Sequence, residues 1–243
     1  KNYKQSIKID RNYFEATYNL SRLFLALENF QEGWPIYDKL RVNKFKTNYE
    51  YKKIFKNILK LKKWNGKKFN GKLFIYGEQG IGDQIVFSSM IPDLYKRHSN
   101  ISLVVEKRLV SLFKRSFKDI IINEYNNKIK INSNDCQLPM FSLGSFFRKS
   151  INSFNPQSYI IPDSKKTNCY KKILSKNKKI KIGLSWRTKS DFSEEKNISL
   201  NKLIKILSLD RFEFINLQYG DTLKEREKFK SEFGIEIKNF DNL

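Results

Sequence analysis

Residues 72–91 read KLFIYGEQGIGDQIVFSSMI. The apolar run Leu73–Tyr76 predicts a buried strand, and apolar residues at three- and four-residue spacing in residues 82–96 predict a helix. A glycine-rich loop at residues 77–83 joins the two. In a sheet of parallel strands, ligands bind where the strands end, and the loop after the first strand is the usual site. This stretch therefore predicts an α/β fold and places a candidate site in the loop.

Strand-like and helix-like segments alternate along the rest of the chain. The strand-like segments are apolar runs at residues 101–105, 120–122, 135–140, 180–186 and 212–217. The helix-like segments are at residues 108–117, 200–207 and 222–233. Alternation of this kind is typical of parallel sheets covered by helices, and the rhythm restarts near residue 179. We therefore predict one complete sheet domain and the beginning of a second.

Upstream of this region the chain reads as helix. Residues 14–27 place Ala16 and Leu27 on one apolar face, and residues 30–40 resume the apolar pattern. Two short helices joined by a tight turn form an antiparallel hairpin. Residues 44–72 contain eleven Lys and one acid, which predicts a connecting helix whose basic face is solvated. The sequence therefore begins with an all-α part.

The loop after the first strand admits more than one interpretation from its residues alone. Gly77 and Gly82 have the spacing of a phosphate loop, but Asp83 stands where that motif needs Lys, so this interpretation is rejected. Gly80 and Gly82 match two glycines of a dinucleotide fingerprint whose third glycine is missing, with Glu106 as the candidate ribose ligand. In another alternative Asp83 caps the amides of the helix. The dinucleotide and capping alternatives both remain open.

The N-terminal hairpin resembles a tetratricopeptide repeat, whose unit is about 34 residues. The matching residues are Glu15, Ala16, Asn19, Leu20, Phe24, Leu27, Phe30, Gly33 and Tyr37. Thr17 stands where the family often has a large aromatic residue, and Ser21 stands where it has glycine. A lone repeat leaves one face open. We therefore expect either further repeats upstream or packing of the hairpin against the chain that follows it.

The segment KLFIYG followed by EQGIGDQIVFSSMIPDL resembles the first strand and loop of heptosyltransferase-like glycosyltransferases of the family 9 type. Shorter matches follow in the order of that family: DCQLPMFSLGSFF, PQSYI, IKIGLSWRTK, NISL and FINLQYG. Together they cover about residues 62–243. The whole arrangement is similar to that of bacterial proteins that join tetratricopeptide repeats to such a domain. The resemblance implies the GT-B architecture of two Rossmann-like domains.

This resemblance divides the chain into four parts. Residues 1–45 would be a tetratricopeptide-like helical repeat, and residues 46–71 a basic connecting helix and linker. Residues 72–164 would be a Rossmann-like acceptor domain, and residues 165–243 an incomplete Rossmann-like donor domain. The predicted fold class is thus α/β with an N-terminal all-α part.

The resemblance also implies a chemistry. Such enzymes transfer a sugar from a nucleotide-diphosphate sugar to an acceptor without a metal ion, so neither a metal nor a cofactor is expected beside this co-substrate. A carboxylate must take the proton of the acceptor hydroxyl. Asp83 is the position of the proposed base, and Glu78 on the same loop is a second catalytic candidate. Gln79, Gly80 and Gly82 complete the predicted acceptor loop.

On the donor side, the resemblance points to side chains that follow two successive strands. These candidates are Ser185, Trp186, Arg187, Lys189 and Gln218. Cations such as Arg187 and Lys189 would neutralise the leaving diphosphate, and Gln218 would contact the nucleotide. Core packing is the alternative for Trp186, and a solvated position is the alternative for the two cations.

The predicted function is therefore glycosyl transfer to a glycan or protein acceptor, which the helical repeat would help to bind. A later segment with Asp-Thr and His binds the nucleotide sugar in this family, and it has no counterpart here. Because the chain also starts at Lys1, we expect a fragment with an incomplete donor site. The alternative is a non-catalytic binding module with a degenerate glycosyltransferase fold.

Composition bears on partners and location. The chain carries 48 Lys and Arg against 25 Asp and Glu, a net charge of +23. Nucleic acid is nevertheless not the expected partner, because 38 of these cations are Lys, whereas base and phosphate recognition favours Arg. No apolar stretch approaches the ~18 residues of a membrane helix. Two cysteines without paired spacing fit a reducing cytoplasm, and peripheral contact with the inner face of a membrane is left open.

Overall fold

The computed structural model describes residues 2–78, 80–125, 128–188 and 196–240, and of residues 42–47 and 50 it describes the backbone alone. The chain divides into two compact units, Lys1–Asp163 and Ser164–Leu243. Each unit contains a parallel sheet together with helices, so the predicted mixed α/β class is confirmed. Among the described helices, none is long and apolar enough to cross a membrane.

Helices and short strands alternate along the first unit. Its helices are α1 (Asn2–Ile9), α2 (Phe14–Ala26), α3 (Phe30–Thr47), α4 (Tyr49–Ile54), α5 (Ile81–Ser88), α6 (Ile91–Arg97), α7 (Lys107–Ser116) and α8 (Gly144–Phe147). Its strands are β1 (Lys62–Lys63), β2 (Leu73–Tyr76), β3 (Ile101–Val105), β4 (Ile121–Glu124) and β5 (Cys136–Pro139). Short 3-10 helices lie at Ile58–Lys60, Met140–Leu143 and Ile151–Ser153.

The five strands of the first unit form one parallel sheet in the order β1-β5-β2-β3-β4. Leu73 of β2 pairs with Ile101 of β3 on one side and with Cys136 of β5 on the other. The chain thus moves outward from β2 to β3 and β4 and then returns to add β5 on the other side of β2. In open parallel sheets, ligands bind beyond the carboxyl ends of the strands at such a reversal. The loop after β2 lies at this position.

Both faces of this sheet are covered, which explains the continuous apolar run of β2. Successive side chains of a strand point to opposite faces. Leu73 and Ile75 lie in a core with residues of α6 and α7, whereas Phe74 and Tyr76 lie in a core with Phe55 and the Ile58–Lys60 helix. All four residues of β2 are buried. A strand buried on two faces shows no alternation of apolar and polar residues.

The hairpin of α2 and α3 packs against the chain that follows it. Trp34 and Tyr37 of α3 share a core with Phe141, which lies just after β5. The indole Nε1 of Trp34 donates a hydrogen bond to the carbonyl of Arg148 at 2.7 Å. A Cβ atom at Gly144 would lie 2.7 Å from the Trp34 ring, so glycine permits this close approach. The open face of α3 is therefore buried on the α/β part of the same unit.

The helix predicted over residues 82–96 is two helices, α5 and α6, which are separated at Ser89 and Met90. Pro92 is the reason, because proline has no amide hydrogen to donate to the carbonyl four residues earlier. Pro92 is the second residue of α6, where a backbone amide has no acceptor within the helix. Its missing hydrogen therefore breaks no hydrogen bond of α6. The chain therefore bends and begins a new helix instead of continuing α5.

The second unit contains a parallel three-stranded sheet in the order β6-β7-β8. Its strands are β6 (Ile180–Leu184), β7 (Phe212–Asn216) and β8 (Ile237–Lys238). Its helices are α9 (Ser164–Leu174), α10 (Ile204–Leu207) and α11 (Leu223–Phe233), with a 3-10 helix at Leu200–Leu203. Trp186, Phe214 and Phe229 are among the buried residues of its core. Neither α9 nor β8 was expected from the sequence pattern.

Candidate functional site

The loop after β2 begins at Gly77, where the backbone is held by its neighbours. The amide of Gly77 donates to the carbonyl of Val104 at 2.9 Å, which continues the ladder between β2 and β3. A Cβ atom at this position would lie 2.4 Å from the side chain of Gln84. Glycine is therefore required at position 77 by packing within the chain.

A hydrogen-bonded chain of side chains fixes the loop from the neighbouring strands. The hydroxyl of Tyr125, which follows β4, donates to the carbonyl of Gly77. Gln84 of α5 donates from Nε2 to the Tyr125 hydroxyl at 2.6 Å, and its Oε1 accepts from the amide of Glu106 at 3.2 Å. Burial raises the pKa of Tyr125 well above its usual value, which keeps the hydroxyl a donor at neutral pH.

Sequence reasoning missed both Tyr125 and Gln84. The available signal was position: a polar residue directly after a predicted strand lies at the carboxyl edge of a parallel sheet, where sites form. Tyr125 directly follows β4, which ends at Glu124, but the strand predicted at residues 120–122 ended too early for this signal to identify it. The amide side chain of Gln84 carries no such signal, because it lies inside a helix and only packing reveals its burial.

Glu78 is a buried carboxyl group, and its residue is only 4% exposed. It lies close to tyrosines of α4 and β2. Burial is the main cause that raises the pKa of Tyr51 and of Tyr76, and the charge of Glu78 is the next cause for both. An acid in such surroundings has little access to bulk water. Glu78 is therefore shielded from solvent and faces the tyrosines.

Asp83, the predicted base, is exposed in the first turn of α5. Gly80 is the N-cap residue of this helix, and no side chain caps it there. A Cβ atom at Gly80 would lie 3.6 Å from Oδ2 of Asp83, and one at Gly82 would meet nothing within 4 Å. Contacts with the described residues therefore do not require glycine at either position. The predicted acceptor-loop residue Gln79 lies outside the described residues.

The two carboxylates of the loop consequently lie in different environments. Glu78 is buried, whereas Asp83 faces open space at a helix N-terminus. Pairs of carboxylates in unlike surroundings are how proteins assign different roles to the same functional group. The exposed group can reach an incoming hydroxyl, and the buried group can orient the loop that carries it.

Glu106 bears on the dinucleotide interpretation of the same loop. Its carboxylate accepts hydrogen bonds from the backbone amide of Arg108 at 2.9 Å and from Nε of the same residue at 3.0 Å. It is the N-cap residue of α7. The carboxylate that would bind a ribose in that interpretation therefore caps the N-terminus of α7.

In the second unit, Gln218 organises the loop after β6. Its Oε1 accepts hydrogen bonds from the amide of Trp186 at 3.0 Å, from the amide of Arg187 at 2.9 Å and from the hydroxyl of Ser185 at 3.1 Å. Gln218 is 6% exposed, and its own amide donates to Asn216 at 2.9 Å. The structure therefore brings four of the five predicted donor-side residues together, with Gln218 at their centre.

Trp186 and Arg187 both contact α11. Trp186 is 5% exposed, lies in the core of the unit and donates from Nε1 to Glu225 at 2.8 Å. Arg187 has its Nε atom 3.6 Å from the same carboxylate and donates from Nη2 to the carbonyl of Asp221. Core packing is thus what Trp186 does here. Lys189 lies outside the described residues.

Comparison with known proteins gives one informative similarity. No protein-family model matches the chain. No solved structure matches it at a significant level. The chain is 28% identical over 236 residues to Protein FlbA of Caulobacter vibrioides, a match that covers 88% of this chain and 39% of that protein. The chain therefore spans about two fifths of this relative's length.

Proposed function

We propose that the chain forms the acceptor side and part of the donor side of a metal-independent glycosyltransferase of the GT-B type. The reaction transfers a sugar from a nucleotide-diphosphate sugar to a glycan or protein acceptor. The observation that carries this proposal is the loop after β2. It lies where the strand order reverses, and there an exposed carboxylate, Asp83, follows Gly82, at which a Cβ atom would meet none of the described residues within 4 Å.

Two features of the fold support the proposal. The strand order β4-β3-β2-β5 is the 3-2-1-4 order of a Rossmann-like half-sheet, with the loop at its switch point. The two helices of the α2–α3 hairpin pack closely, since a Cβ atom at Gly33 would lie 2.7 Å from Leu25, and close packing of paired helices supports the tetratricopeptide-like part of the proposal. The four-part division of the chain, at residues 45, 71 and 164, belongs to the same proposal.

The proposed roles follow from burial and reach. Asp83 takes the proton of the acceptor hydroxyl as the new glycosidic bond forms, because it is the exposed carboxylate of the loop. Glu78 holds the loop from inside. In the second unit, Arg187 would neutralise the leaving diphosphate. It is the one of the two predicted donor-side cations that lies within the described residues, and its amide donates to Gln218.

The test of the base is Asp83→Asn in the full gene product, with nucleotide-sugar turnover in the presence of acceptor as the readout. Removal of a general base is expected to lower kcat by about 10²–10⁴-fold. The control is Asp119→Asn, the same change at an exposed aspartate in the turn before β4. If turnover survives in Asp83→Asn but is lost in Glu78→Gln, the general base is Glu78 and not Asp83.

A non-catalytic binding module is the second candidate, and one observation favours it. Three of the predicted donor-side residues bond to groups of their own unit: Gln218 to the loop after β6, Trp186 to Glu225, and Arg187 to Asp221. The distinguishing measurement is calorimetric titration of the full gene product with uridine, guanosine, adenosine and cytidine diphosphates. Micromolar binding of any of them supports the enzyme, and absence of binding supports the module.

A further inference from the structure

A groove of about 370 Å³ lies at the amino end of the first sheet, where β5 begins. This is the sheet end opposite to the loop after β2. Four lysines line the groove, Lys62 and Lys63 from β1 and Lys67 and Lys68 from the following turn. All four are exposed. We refer to these lysines and the cavity between them as the lysine groove.

The lysine groove carries a net positive charge, because four lysines and one acid, Asp135, are among the residues that line it. Asp135 is the acid among the lining residues, and its two oxygens accept from the backbone amides of Lys72 at 2.8 Å and Asn132 at 2.7 Å. Lys63 pairs with Asp38 at 2.7 Å. Among the described residues, Lys62, Lys67 and Lys68 have no ion-pair partner. Concave surfaces lined by one sign of charge focus the field on an oppositely charged ligand.

The turn that carries Lys67 and Lys68 is held in place by the rest of the unit. Trp64 donates from its amide to the carbonyl of Gln137 at 2.9 Å and from Nε1 to the carbonyl of Lys67 at 2.8 Å. The amide of Lys67 donates to Asn65 at 3.0 Å. A turn fixed in this way keeps the backbone under the ammonium groups in place before any ligand arrives. Such preorganisation lowers the entropy lost on binding.

The turn also depends on Gly66, whose φ angle is +85°. A Cβ atom there would lie 2.8 Å from the ring of Phe146. Glycine adopts a positive φ angle without steric cost, so this residue allows the chain to reverse close to α8. The local sequence Trp64-Asn65-Gly66 thus forms the turn that brings Lys67 and Lys68 into the lining of the same groove as Lys62.

We propose that the lysine groove binds a phosphate-bearing ligand. A phosphate group carries about two negative charges and three strong acceptor oxygens, which suits a cavity that four lysines line. Lysine acts on phosphate as a compact point charge, as in phosphate loops. Ser133 and Asn134 add neutral polar groups to the wall. A volume of about 370 Å³ is in the range of small-molecule sites. This site is separate from the proposed transfer chemistry, which takes place at the other end of the sheet.

The test uses inorganic tripolyphosphate as the probe and calorimetric titration of the full chain. Binding is expected to weaken on the order of tenfold or more in the double variant Lys67→Gln/Lys68→Gln, because two nearby cations are lost. The matched control is Lys171→Gln/Lys172→Gln, which removes the same charge from two exposed lysines of α9. Equal weakening in both double variants would indicate a general charge effect and would overturn the proposal.

A second readout places the probe in the groove. Cys136 lines it and is half-buried, whereas the other cysteine, Cys169, is exposed on α9. In a Cys169→Ser background, tripolyphosphate is expected to slow the reaction of Cys136 with a neutral thiol reagent severalfold. Sodium chloride at the same ionic strength should not slow it. An unchanged rate at saturating probe would contradict binding in this cavity.

Phosphate of this kind occurs on soluble molecules and on lipid headgroups. Two binding experiments distinguish these two sources. Co-sedimentation with vesicles of phosphatidic acid in phosphatidylcholine tests the headgroup, because phosphatidic acid carries a phosphomonoester, and tripolyphosphate tests the soluble form. Loss of either interaction in Lys67→Gln/Lys68→Gln, but not in Lys171→Gln/Lys172→Gln, supports the proposal and identifies the source. Failure of both probes to bind the parent chain overturns it.

Discussion

Gly77 and Gly82 lie on the same loop, yet the space available to a side chain differs between the two positions. A Cβ atom at Gly77 would collide with Gln84, whereas one at Gly82 would meet nothing within 4 Å. Gly82 is also helical, in the first turn of α5. Alanine is a better helix former than glycine, and it restricts the unfolded chain. A glycine that packing does not require is therefore a residue at which a ligand is expected to approach the backbone.

We expect Gly82→Ala to raise the free energy of unfolding by about 0.5–1 kcal/mol and to lower nucleotide-sugar turnover in the full gene product. Gly77→Ala, the matched control, should instead lower the free energy of unfolding by about 1–3 kcal/mol through overpacking. Urea denaturation measures both. A Gly82→Ala protein that is more stable and fully active would show that no ligand approaches this backbone.

At the scale of elements, α3 joins the helical hairpin to the α/β part. Trp34 is buried, contacts Tyr37 and Phe87 edge-on, and bonds to the carbonyl of Arg148. Arg148 is itself 3% exposed and pairs with Asp93 of α6 at 2.8 Å. The hairpin is therefore a fixed part of the first unit, which explains how a lone helical hairpin can bury its open face.

Trp34→Ala is expected to lower the free energy of unfolding of the first unit by about 3–5 kcal/mol, because it leaves a large cavity between α3 and α8. The measurement is urea denaturation followed by circular dichroism. Tyr49→Ala is the control, since this aromatic residue of α4 is 73% exposed and its removal should change stability by about 0.5 kcal/mol or less. A loss below 1 kcal/mol in Trp34→Ala would mean that the hairpin contributes little to the unit.

At the scale of the whole molecule, each of the two units has its own hydrophobic core and its own ion pairs. In the second unit, Glu213 of β7 is buried and lies beside Lys238, Asn177 and Lys181. The hydrogen bond from Lys238 is the largest influence and lowers the pKa of Glu213. Burial opposes it, and Asn177 and Lys181 add to the lowering. Glu213 therefore stabilises the second unit in its ionised form.

Because the pKa of Glu213 is lower in the folded than in the unfolded chain, its stabilising effect is present above pH 4.5 and is lost as the pH falls further. We expect Glu213→Gln to be less stable than the parent at pH 7 and to lose less stability between pH 5 and pH 3. Thermal unfolding across this range measures the difference. Parallel pH profiles for parent and variant would contradict the linkage.

Sequence alone predicted strands β2 to β7 and left β1, β8 and α9 out. Four consecutive apolar residues made β2 recognisable, whereas β1 consists of two exposed lysines and became a strand by pairing with Cys136 and Gln137. The bend between α5 and α6 was predictable in principle from Pro92. Helix α9 was not predicted, because its sequence, SKKTNCYKKIL, is rich in lysine and contains few apolar residues.

The candidate site shows the same division. The sequence of the 77–83 loop indicated Asp83 and the glycines, since loop composition is a local property. Burial of Glu78 and the reach of Tyr125 across the end of β3 to Gly77 depend on strand order, which no local pattern contains. Likewise, the sequence indicated Gln218 as polar at a strand end, but only packing shows that three groups of the 185–187 loop converge on it.

The sequence by itself determined that this chain is α/β, that a glycine-rich loop with two carboxylates follows its first buried strand, and that its cations are mostly lysine. These are consequences of periodicity, local turn chemistry and composition. Only the tertiary structure decided that the hairpin is fixed to the sheet, that Glu78 is buried while Asp83 is exposed, and that four of the many lysines meet in one groove. The physical reason is that burial and electrostatic fields depend on residues far apart in the chain, and their meeting is set by strand order and packing.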